Sequence, residues 1–295
     1  MKRKPGNLFR WLYWIVLLVF LTTGAALAVQ IEMLHNAAGF YRQIGAAGSQ
    51  PAGQHLPHEP SDTLTTSDTS DTLDTSAMSD TLDTSATLDI SATSATSDTS
   101  ATSDHAADSP DKQQTEELSR WYPGAAAWIR IPDTSLDYPV MQGSDNQYYL
   151  DHLPDGSSNV LGSLFLDYRC SVDSGHLVIY GHNGSGGRML GLLKNYASQD
   201  YYRKHPDVIL AFADVQYVCH IFSVRRVEAD SSAYTLDLED SAARERYIRQ
   251  AAAASIYPVL DVEESCDGKE RILTMSTCTG WGNQRLLVQA LLQER

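Results

Sequence analysis

Apolar and polar residues are unevenly distributed along this chain of 295 residues. Residues 11–29 form an uncharged run of 19 residues, rich in Leu, Val, Ile and aromatic side chains. This is about the length that crosses a bilayer as an α-helix, so the run is predicted to be a transmembrane signal-anchor helix. Residues 30–46 form a membrane-proximal segment, which either extends the membrane helix or lies beside the bilayer.

The next segment, residues 47–111, consists largely of irregular Ser-Asp-Thr, Leu-Asp-Thr-Ser-Ala and Ser-Ala-Thr units. Between residues 61 and 104 it has no aromatic residue and few side chains that a core would bury, so a disordered linker is predicted. Two interpretations of this linker are open. It is either a stalk that projects a folded domain away from the membrane, or a tolerated low-complexity insertion whose length was never selected.

Residues 112–295 have the pattern of one folded domain made of many short strands. Short runs rich in β-branched and aromatic residues are bounded by Pro, Gly, Asp and Ser, which is typical of strands. They cover residues 126–131, 136–140, 163–167, 176–180, 208–213 and 216–227, and two last strands follow. Helical spacing is present at residues 113–122, 187–196 and, most clearly, 240–254. Many strands with few helices predict a mostly β fold and a closed barrel.

The charge is concentrated in the linker: residues 47–111 hold twelve Asp and Glu and no Lys or Arg, within a net charge of −15. Lys2, Arg3, Lys4 and Arg10 precede the apolar run, so residues 1–10 are predicted to be a cytoplasmic tail and everything after residue 29 to lie outside the cell. The alternative is a cleaved signal peptide, because residues 26–28 read Ala-Leu-Ala. Export follows in both cases. No basic stripe is present, which excludes a nucleic-acid partner.

Three residues with catalytic potential lie at the ends of predicted strands. Cys278 follows the apolar run that starts at Arg271, Arg285 opens the next apolar run, and His182 follows a buried strand in a Tyr-Gly-His-Asn turn. A thiol, an imidazole and a guanidinium are what thiol-based acyl transfer requires, since they attack, move protons and stabilise an oxyanion. Taken singly, a cysteine is more often a small buried apolar residue and an arginine a surface charge.

The chain from residue 128 to the C-terminus resembles the class B sortases, which are membrane-anchored cysteine transpeptidases of Gram-positive bacteria. Five motifs carry the resemblance: Trp-Ile-Arg-Ile-Pro-Asp opening residues 128–142, Asp-Asn-Gln-Tyr-Tyr-Leu at 145–150, Gly-Ser-Leu-Phe-Leu-Asp-Tyr at 162–168, Tyr-Gly-His-Asn at 180–183 and Thr-Met-Ser-Thr-Cys at 274–278. The resemblance implies a closed eight-stranded sortase-type β-barrel, with an N-terminal helix and a helix inserted before the strand of the catalytic cysteine.

The resemblance also implies a function for individual residues. Cys278, His182 and Arg285 correspond to the catalytic residues, while Asn146 and Ser276 correspond to substrate-binding residues. For these last two, an ordinary role in a turn or strand is an equal alternative. The implied reaction cleaves a C-terminal sorting motif of secreted proteins through a thioester and transfers the acyl group to a peptidoglycan precursor amine, at the cytoplasmic membrane and without a cofactor.

Three alternatives to wall anchoring remain open from the sequence. The first is a pilus polymerase, in which a pilin lysine is the resolving amine. The second is an exported cysteine protease, in which water resolves the acyl-enzyme. The third is a non-enzymatic surface binding module, which would keep its cysteines in disulfides.

Cys219 is predicted to be a buried, inert strand residue, whereas Cys170 and Cys266 either pair or stay free. No metal-binding motif such as Cys-x-x-Cys or His-Glu-x-x-His is present, so no metal site is predicted.

Overall fold

The computed structural model describes residues 6–47, 110–259, 266, 268–278 and 282–295, without the side chains of residues 6–10, 12, 13, 46, 47, 110, 121 and 278. The predicted linker, residues 47–111, therefore lies outside the described residues except at its two ends. The described α-helices are α1 (Gly6–Ala47), α2 (Pro110–Trp121), α3 (Gln199–Lys204) and α4 (Ser241–Ala253).

Eight strands close into a barrel, in the order β1-β2-β3-β4-β7-β8-β6-β5. Their bounds are β1 Ala125–Arg130, β2 Asp137–Met141, β3 Leu164–Leu166, β4 His176–Tyr180, β5 Asp207–Ala211, β6 Gln216–Glu228, β7 Arg271–Cys278 and β8 Gln284–Glu294. Neighbouring strands are antiparallel except for two parallel pairs, β2 with β3 and β4 with β7. This architecture confirms the predicted mostly β fold, with a helix at the N-terminus and another, α4, before β7.

The centre of β7 is buried on both faces of the sheet, which is why its sequence is a nearly continuous apolar run. Leu273 and Met275 belong to the core inside the barrel. Ile272 faces a second apolar cluster outside it, where Ile248 and Ala251 of α4 cover the sheet. Helix α4 begins where the Asp240 carboxylate accepts a hydrogen bond from the Ala243 backbone N–H at 2.8 Å, a standard N-cap. The inserted helix therefore holds the outer face of the strand that leads to Cys278.

Between residues 110 and 254, the predicted element bounds differ from the observed ones by no more than three residues, apart from two local differences. The segment predicted as helical at residues 187–196 forms a 3₁₀ helix at Leu190–Ala197. Gly187 and Met189, at the start of the predicted segment, have positive φ angles, so the helix of this segment begins only at Leu190. The short helix α3 was not predicted from the sequence, because its six residues are too few to show helical spacing.

Helix α1 is continuous over 42 residues and includes both the predicted membrane span and the segment at residues 30–46. The helix is therefore unbroken between the predicted span and the segment at residues 30–46. Residues 14–45 are long and apolar enough to cross a membrane. The second half of α1 instead packs on the barrel: Ala37 and Ile44 are 0% and 4% exposed. The Tyr41 hydroxyl donates to the Gly162 carbonyl at 2.8 Å.

Gly162 is required where α1 meets the barrel. Its φ angle is +58°, and a Cβ atom at this position would collide with the backbone carbonyls of Tyr149 and Leu150. Only glycine combines this conformation with such close backbone packing. The Gly162 carbonyl is thereby presented to Tyr41, and the side chain of Asn159 in the same loop donates to the Met33 carbonyl at 2.7 Å.

Candidate active site

The ends of three adjacent strands bring the predicted catalytic positions together. Tyr180 at the end of β4 pairs with Ser276 of β7, and Cys278 pairs with Arg285, the second residue of β8. The Gly181 N–H donates to the Ser276 carbonyl at 3.3 Å, which places the turn containing His182 beside the end of β7. Residues directly opposite on antiparallel strands are roughly 5 Å apart at Cβ. The backbone therefore sets positions 182, 278 and 285 around one end of the barrel.

His182 is partly buried, and its ring is oriented by the main chain. Its Nε2 lies 2.6 Å from the Leu150 carbonyl oxygen. A carbonyl only accepts hydrogen bonds, so Nε2 carries the proton and the lone pair of the neutral ring is on Nδ1. The turn before the ring requires glycine, because a Cβ atom at Gly181 would collide with the side chains of Leu164 and Leu190.

A cleft of about 520 Å³ opens at this end of the barrel. Four of the five residues predicted to form the site line it: Asn146, His182, Ser276 and Arg285. The fifth, Cys278, is described only by its backbone. Arg285 is partly exposed, and its Nη1 donates to the Gln284 carbonyl at 3.2 Å. Apolar and aromatic side chains complete the walls, among them Leu150, Phe165, Tyr180 and Tyr234.

Asn146 is fixed by a buried carboxylate rather than extended freely into the cleft. Its Nδ2 donates to Asp167 Oδ2 at 2.9 Å, and its Oδ1 accepts from the Tyr168 N–H at 3.0 Å. Asp167 also accepts two hydrogen bonds from the guanidinium of Arg169, at 2.9 and 2.8 Å, and one from the Tyr180 hydroxyl at 3.1 Å. These donors connect the Asn146 side of the cleft to Tyr180.

Asp167 is ionised in this arrangement. Burial on its own raises the pKa of a carboxyl group, but the hydrogen bonds from Arg169 and Asn146 and the charge of Arg169 outweigh it and bring the pKa of Asp167 to about 2. The same carboxylate, together with burial, which is the larger cause, raises the pKa of Tyr180. Tyr180 therefore stays a neutral phenol that donates its proton to Asp167.

Ser276 faces an aromatic partner from outside the barrel strands. Its Oγ lies 2.8 Å from the hydroxyl oxygen of Tyr234, and only 3% of the residue is exposed. The Tyr234 ring stacks near that of Tyr180, with centroids 6.1 Å apart and planes 24° apart. Ser276 thus supports the aromatic wall of the cleft through its contact with Tyr234.

Asp167, Tyr180 and Tyr234 were not predicted as parts of the site. Two of them had a sequence signal: Asp167 is an acidic residue at the end of an apolar run, and Tyr180 directly precedes the Gly-His-Asn turn. Tyr234 lies between β6 and α4, where no periodicity or motif distinguishes it. Its role becomes visible only when the fold brings it to Ser276, 42 positions away.

Behind the cleft, a buried histidine links the loop between β6 and α4, which contains Tyr234, to β7. His176 is 0% exposed, and its Nδ1 donates to the Thr235 carbonyl at 2.7 Å. Its Nε2 accepts from the Thr274 hydroxyl at 2.7 Å, and that hydroxyl in turn accepts from Gln289 Nε2 at 2.8 Å. Burial lowers the pKa of His176 to about 4, although the Thr235 carbonyl opposes this shift. His176 is therefore neutral near pH 7.

Cys170, Cys219 and Cys266 are buried free thiols, so none of them forms a disulfide. This confirms the prediction for Cys219, which lies in β6 and is 0% exposed. Burial, the largest cause in each case, raises the pKa of all three thiols, which disfavours the nucleophilic thiolate. Within the described ranges, no group of His, Cys, Asp and Glu side chains is arranged to hold a metal ion.

Comparison with known proteins identifies the family. A family model for the sortase domain matches residues 129–293. Sortase B of Listeria monocytogenes is 31% identical over 169 residues, which is 57% of this chain and 68% of that protein. Sortase B of Staphylococcus aureus is 27% identical over 169 residues, again 57% of this chain and 68% of that protein.

Solved structures agree with these sequence matches. Clostridium perfringens sortase B superimposes with a TM-score of 0.57 and 26% identity, over 60% of this chain and 98% of that one. A Staphylococcus aureus sortase B–substrate complex gives a TM-score of 0.58 and 26% identity, over 62% of this chain and 86% of that one. The closed barrel and the sequence similarity together show that this chain belongs to the sortase family, as a class B sortase and hence a cysteine transpeptidase of the cell-wall sorting type.

Proposed function

We propose that Cys278 is the nucleophile that cleaves a C-terminal sorting motif of secreted proteins. The thiolate attacks a backbone carbonyl, the carbon–nitrogen bond breaks, and a carbon–sulfur bond forms in a thioester. The amine of a peptidoglycan precursor then attacks the thioester carbonyl, which releases the thiolate and forms a new amide. The observation that supports this mechanism most directly is the register, in which position 278 is opposite Arg285 and β7 lies beside the strand that leads to His182.

His182 and Arg285 have separate roles in this proposal. Because Nε2 of His182 is held by the Leu150 carbonyl, Nδ1 is the nitrogen that takes the thiol proton of Cys278, gives it to the departing amine and later takes a proton from the incoming amine. The forked guanidinium of Arg285 donates hydrogen bonds to the oxyanion. A cysteine thiol ordinarily has a pKa of about 8.5, so a nearby positive charge also increases its thiolate fraction.

The sorting motif is proposed to bind in the cleft, beside Asn146 and Ser276. Asn146 is held in place by Asp167, and Ser276 supports the Tyr180 and Tyr234 wall. Sortase B of Staphylococcus aureus has been crystallised with a substrate, and a further sortase B structure contains triglycine. These complexes support a peptide motif as the acyl donor and an amine as the acceptor for this chain as well.

Residues 11–29 of α1 are proposed to span the cytoplasmic membrane, with residues 1–10 inside and residues 112–295 outside the cell. The four basic residues before the apolar run support this orientation. The length and hydropathy of the helix support the span itself. The catalytic domain would then meet its exported substrates on the outer face of the membrane.

Peptide cleavage and ligation by the full-length protein in detergent test this function. A library of sorting-type pentapeptides is incubated with and without triglycine, and the products are separated by mass. We expect cleavage together with an amine-dependent ligated product, and the Cys278→Ala variant to lose both. Cys266→Ala, which removes a thiol outside the cleft, is the matched control and should keep activity. Cleavage that survives in Cys278→Ala would rule out this mechanism, and product without ligation would indicate a protease.

A further inference from the structure

The two halves of α1 have different surroundings. Apolar side chains of the first half point outward: Trp14, Leu18 and Phe20 are 62%, 64% and 74% exposed. In the second half, the Met33 carbonyl accepts a hydrogen bond from Asn159 of the loop between β2 and β3. Met33 lies four residues after Val29, the end of the charge-free run, and four residues of helix rise about 6 Å. The barrel therefore meets the helix almost directly beyond the predicted membrane span.

The contact between α1 and the barrel combines apolar packing with polar bonds. Ala37 and Ile44 are buried, two turns apart on one face of the helix. The rings of Tyr41 and Tyr138 pack edge-on, with their centroids 5.2 Å apart. The ring centroids of Phe40 and Tyr122 are 5.9 Å apart. Hydrogen bonds flank this packing, from Asn159 to the Met33 carbonyl and from Tyr41 to the Gly162 carbonyl. The packed face spans about three helical turns.

We propose that α1 is both the membrane span and the support of the catalytic domain, which non-covalent packing on residues 33–44 holds against the outer face of the membrane. The packed face precedes residues 48–109 in the chain, so those residues are not what sets the distance between the domain and the bilayer. Under this proposal the linker does not act as a stalk. The proposal rests on the membrane insertion of α1 described above.

The same loop that receives α1 also contacts the active site. The Leu150 carbonyl accepts from His182, and the Gly162 carbonyl, twelve residues further on, accepts from Tyr41. Detachment of the helix would therefore release one end of the segment whose other end orients the catalytic imidazole. Docking on α1 is expected to support activity as well as position.

The test separates the covalent connection from the non-covalent one. A protease recognition sequence is inserted between residues 53 and 108 of the full chain, the protein is reconstituted into phosphatidylcholine–phosphatidylglycerol vesicles, the insert is cut, and the vesicles are sedimented. We expect the catalytic fragment to sediment with the vesicles after cleavage. In Ala37→Arg, a charge replaces a fully buried methyl group, so the ratio of bound to released fragment should fall by roughly tenfold or more.

The matched control is Asn36→Arg, which adds the same charge at the neighbouring exposed position and should retain the fragment. Tyr41→Phe keeps the ring and removes its hydrogen bonds, so it should release an intermediate fraction even if Ala37→Arg fails to fold. Release of the wild-type fragment while α1 stays in the vesicles would overturn the proposal, as would equal retention of Ala37→Arg and Asn36→Arg. Uncut protein that fails to sediment would instead refute the membrane insertion of α1.

Discussion

Mild acid is predicted to destabilise the catalytic barrel through His176. Both ring nitrogens of this buried residue are hydrogen-bonded, and Nε2 is an acceptor. Protonation would turn Nε2 into a donor that points at the Thr274 hydroxyl. The hydroxyl proton of Thr274 would then have to turn away from Nε2. The charge of Arg225 further disfavours the imidazolium, while that of Asp167 favours it. Burial, the largest cause, lowers the pKa of His176 to about 4, from 6.5 for an exposed histidine.

The sign and size of the effect follow from proton linkage. Above pH 6.5, His176 is neutral in the folded and the unfolded chain, so it contributes no pH dependence. Below pH 6.5 the unfolded chain binds a proton that the folded chain does not, and the free energy of unfolding falls by about 1.4 kcal/mol per pH unit. The fall amounts to roughly 2 kcal/mol at pH 5 and ends near pH 4, at roughly 3 kcal/mol, where folded His176 is also protonated.

Urea unfolding of the full-length protein in detergent, followed by tryptophan fluorescence at pH 7.5 and pH 5, measures this effect. The comparison is with His176→Asn, whose amide still donates toward the Thr235 carbonyl but does not titrate. At pH 7.5 the variant should be less stable by about 1–3 kcal/mol, because it loses the bond with Thr274. At pH 5 this difference should shrink by about 2 kcal/mol. Groups elsewhere titrate in both proteins and cancel, so a difference that is equal at the two pH values would refute the reasoning.

Three further substitutions test the cleft. Arg285→Lys keeps the charge but loses the fork, so kcat/KM for peptide cleavage should fall about 100-fold, and a change below threefold would contradict the oxyanion role. Asp167→Asn should lower the free energy of unfolding at pH 7 by roughly 2 kcal/mol, because the ionised Asp167 stabilises the fold above pH 4 and this stabilisation is lost as the pH falls toward 2. The control Asp173→Asn, at an exposed position, should change the free energy of unfolding by less than about 0.5 kcal/mol. Tyr234→Phe removes the partner of Ser276 and should raise the KM for peptide severalfold with kcat nearly unchanged; an unchanged KM would place the bound peptide elsewhere.

The barrel was predictable because each strand is a short apolar run with its own boundary residues. The β4 strand, for example, lies at the bounds predicted for it, between polar residues and the Gly181 turn. The pairing of Cys278 with Arg285 also has a local signal, since only six residues separate them. Their catalytic roles stay predictions that the activity assays will test.

Contacts between distant positions had no such signal. The bond between Tyr41 and Gly162 joins residues 121 positions apart, and no apolar periodicity specifies which surface an amphipathic helix face will cover. The polar bonds of Asn146 with Asp167 and of Tyr234 with Ser276 are equally invisible in the sequence. Sequence patterns indicate which residues are buried or strand-terminal, whereas the partner of each residue depends on the assembled fold.

The segment that connects β6 to β7 has two tasks, and this affects how substrate preference can be re-engineered. Near its start, Tyr234 forms part of the cleft wall, and further on Ile248 and Ala251 of α4 shield the outside of the sheet. A chimaera that exchanges only the first few residues of the segment between β6 and β7 would alter the cleft while keeping the native helix α4 on the sheet. Exchanging all of it would transplant a foreign helix onto Phe222 and Ile272, so the graft would need matching changes on those two strands to remain folded.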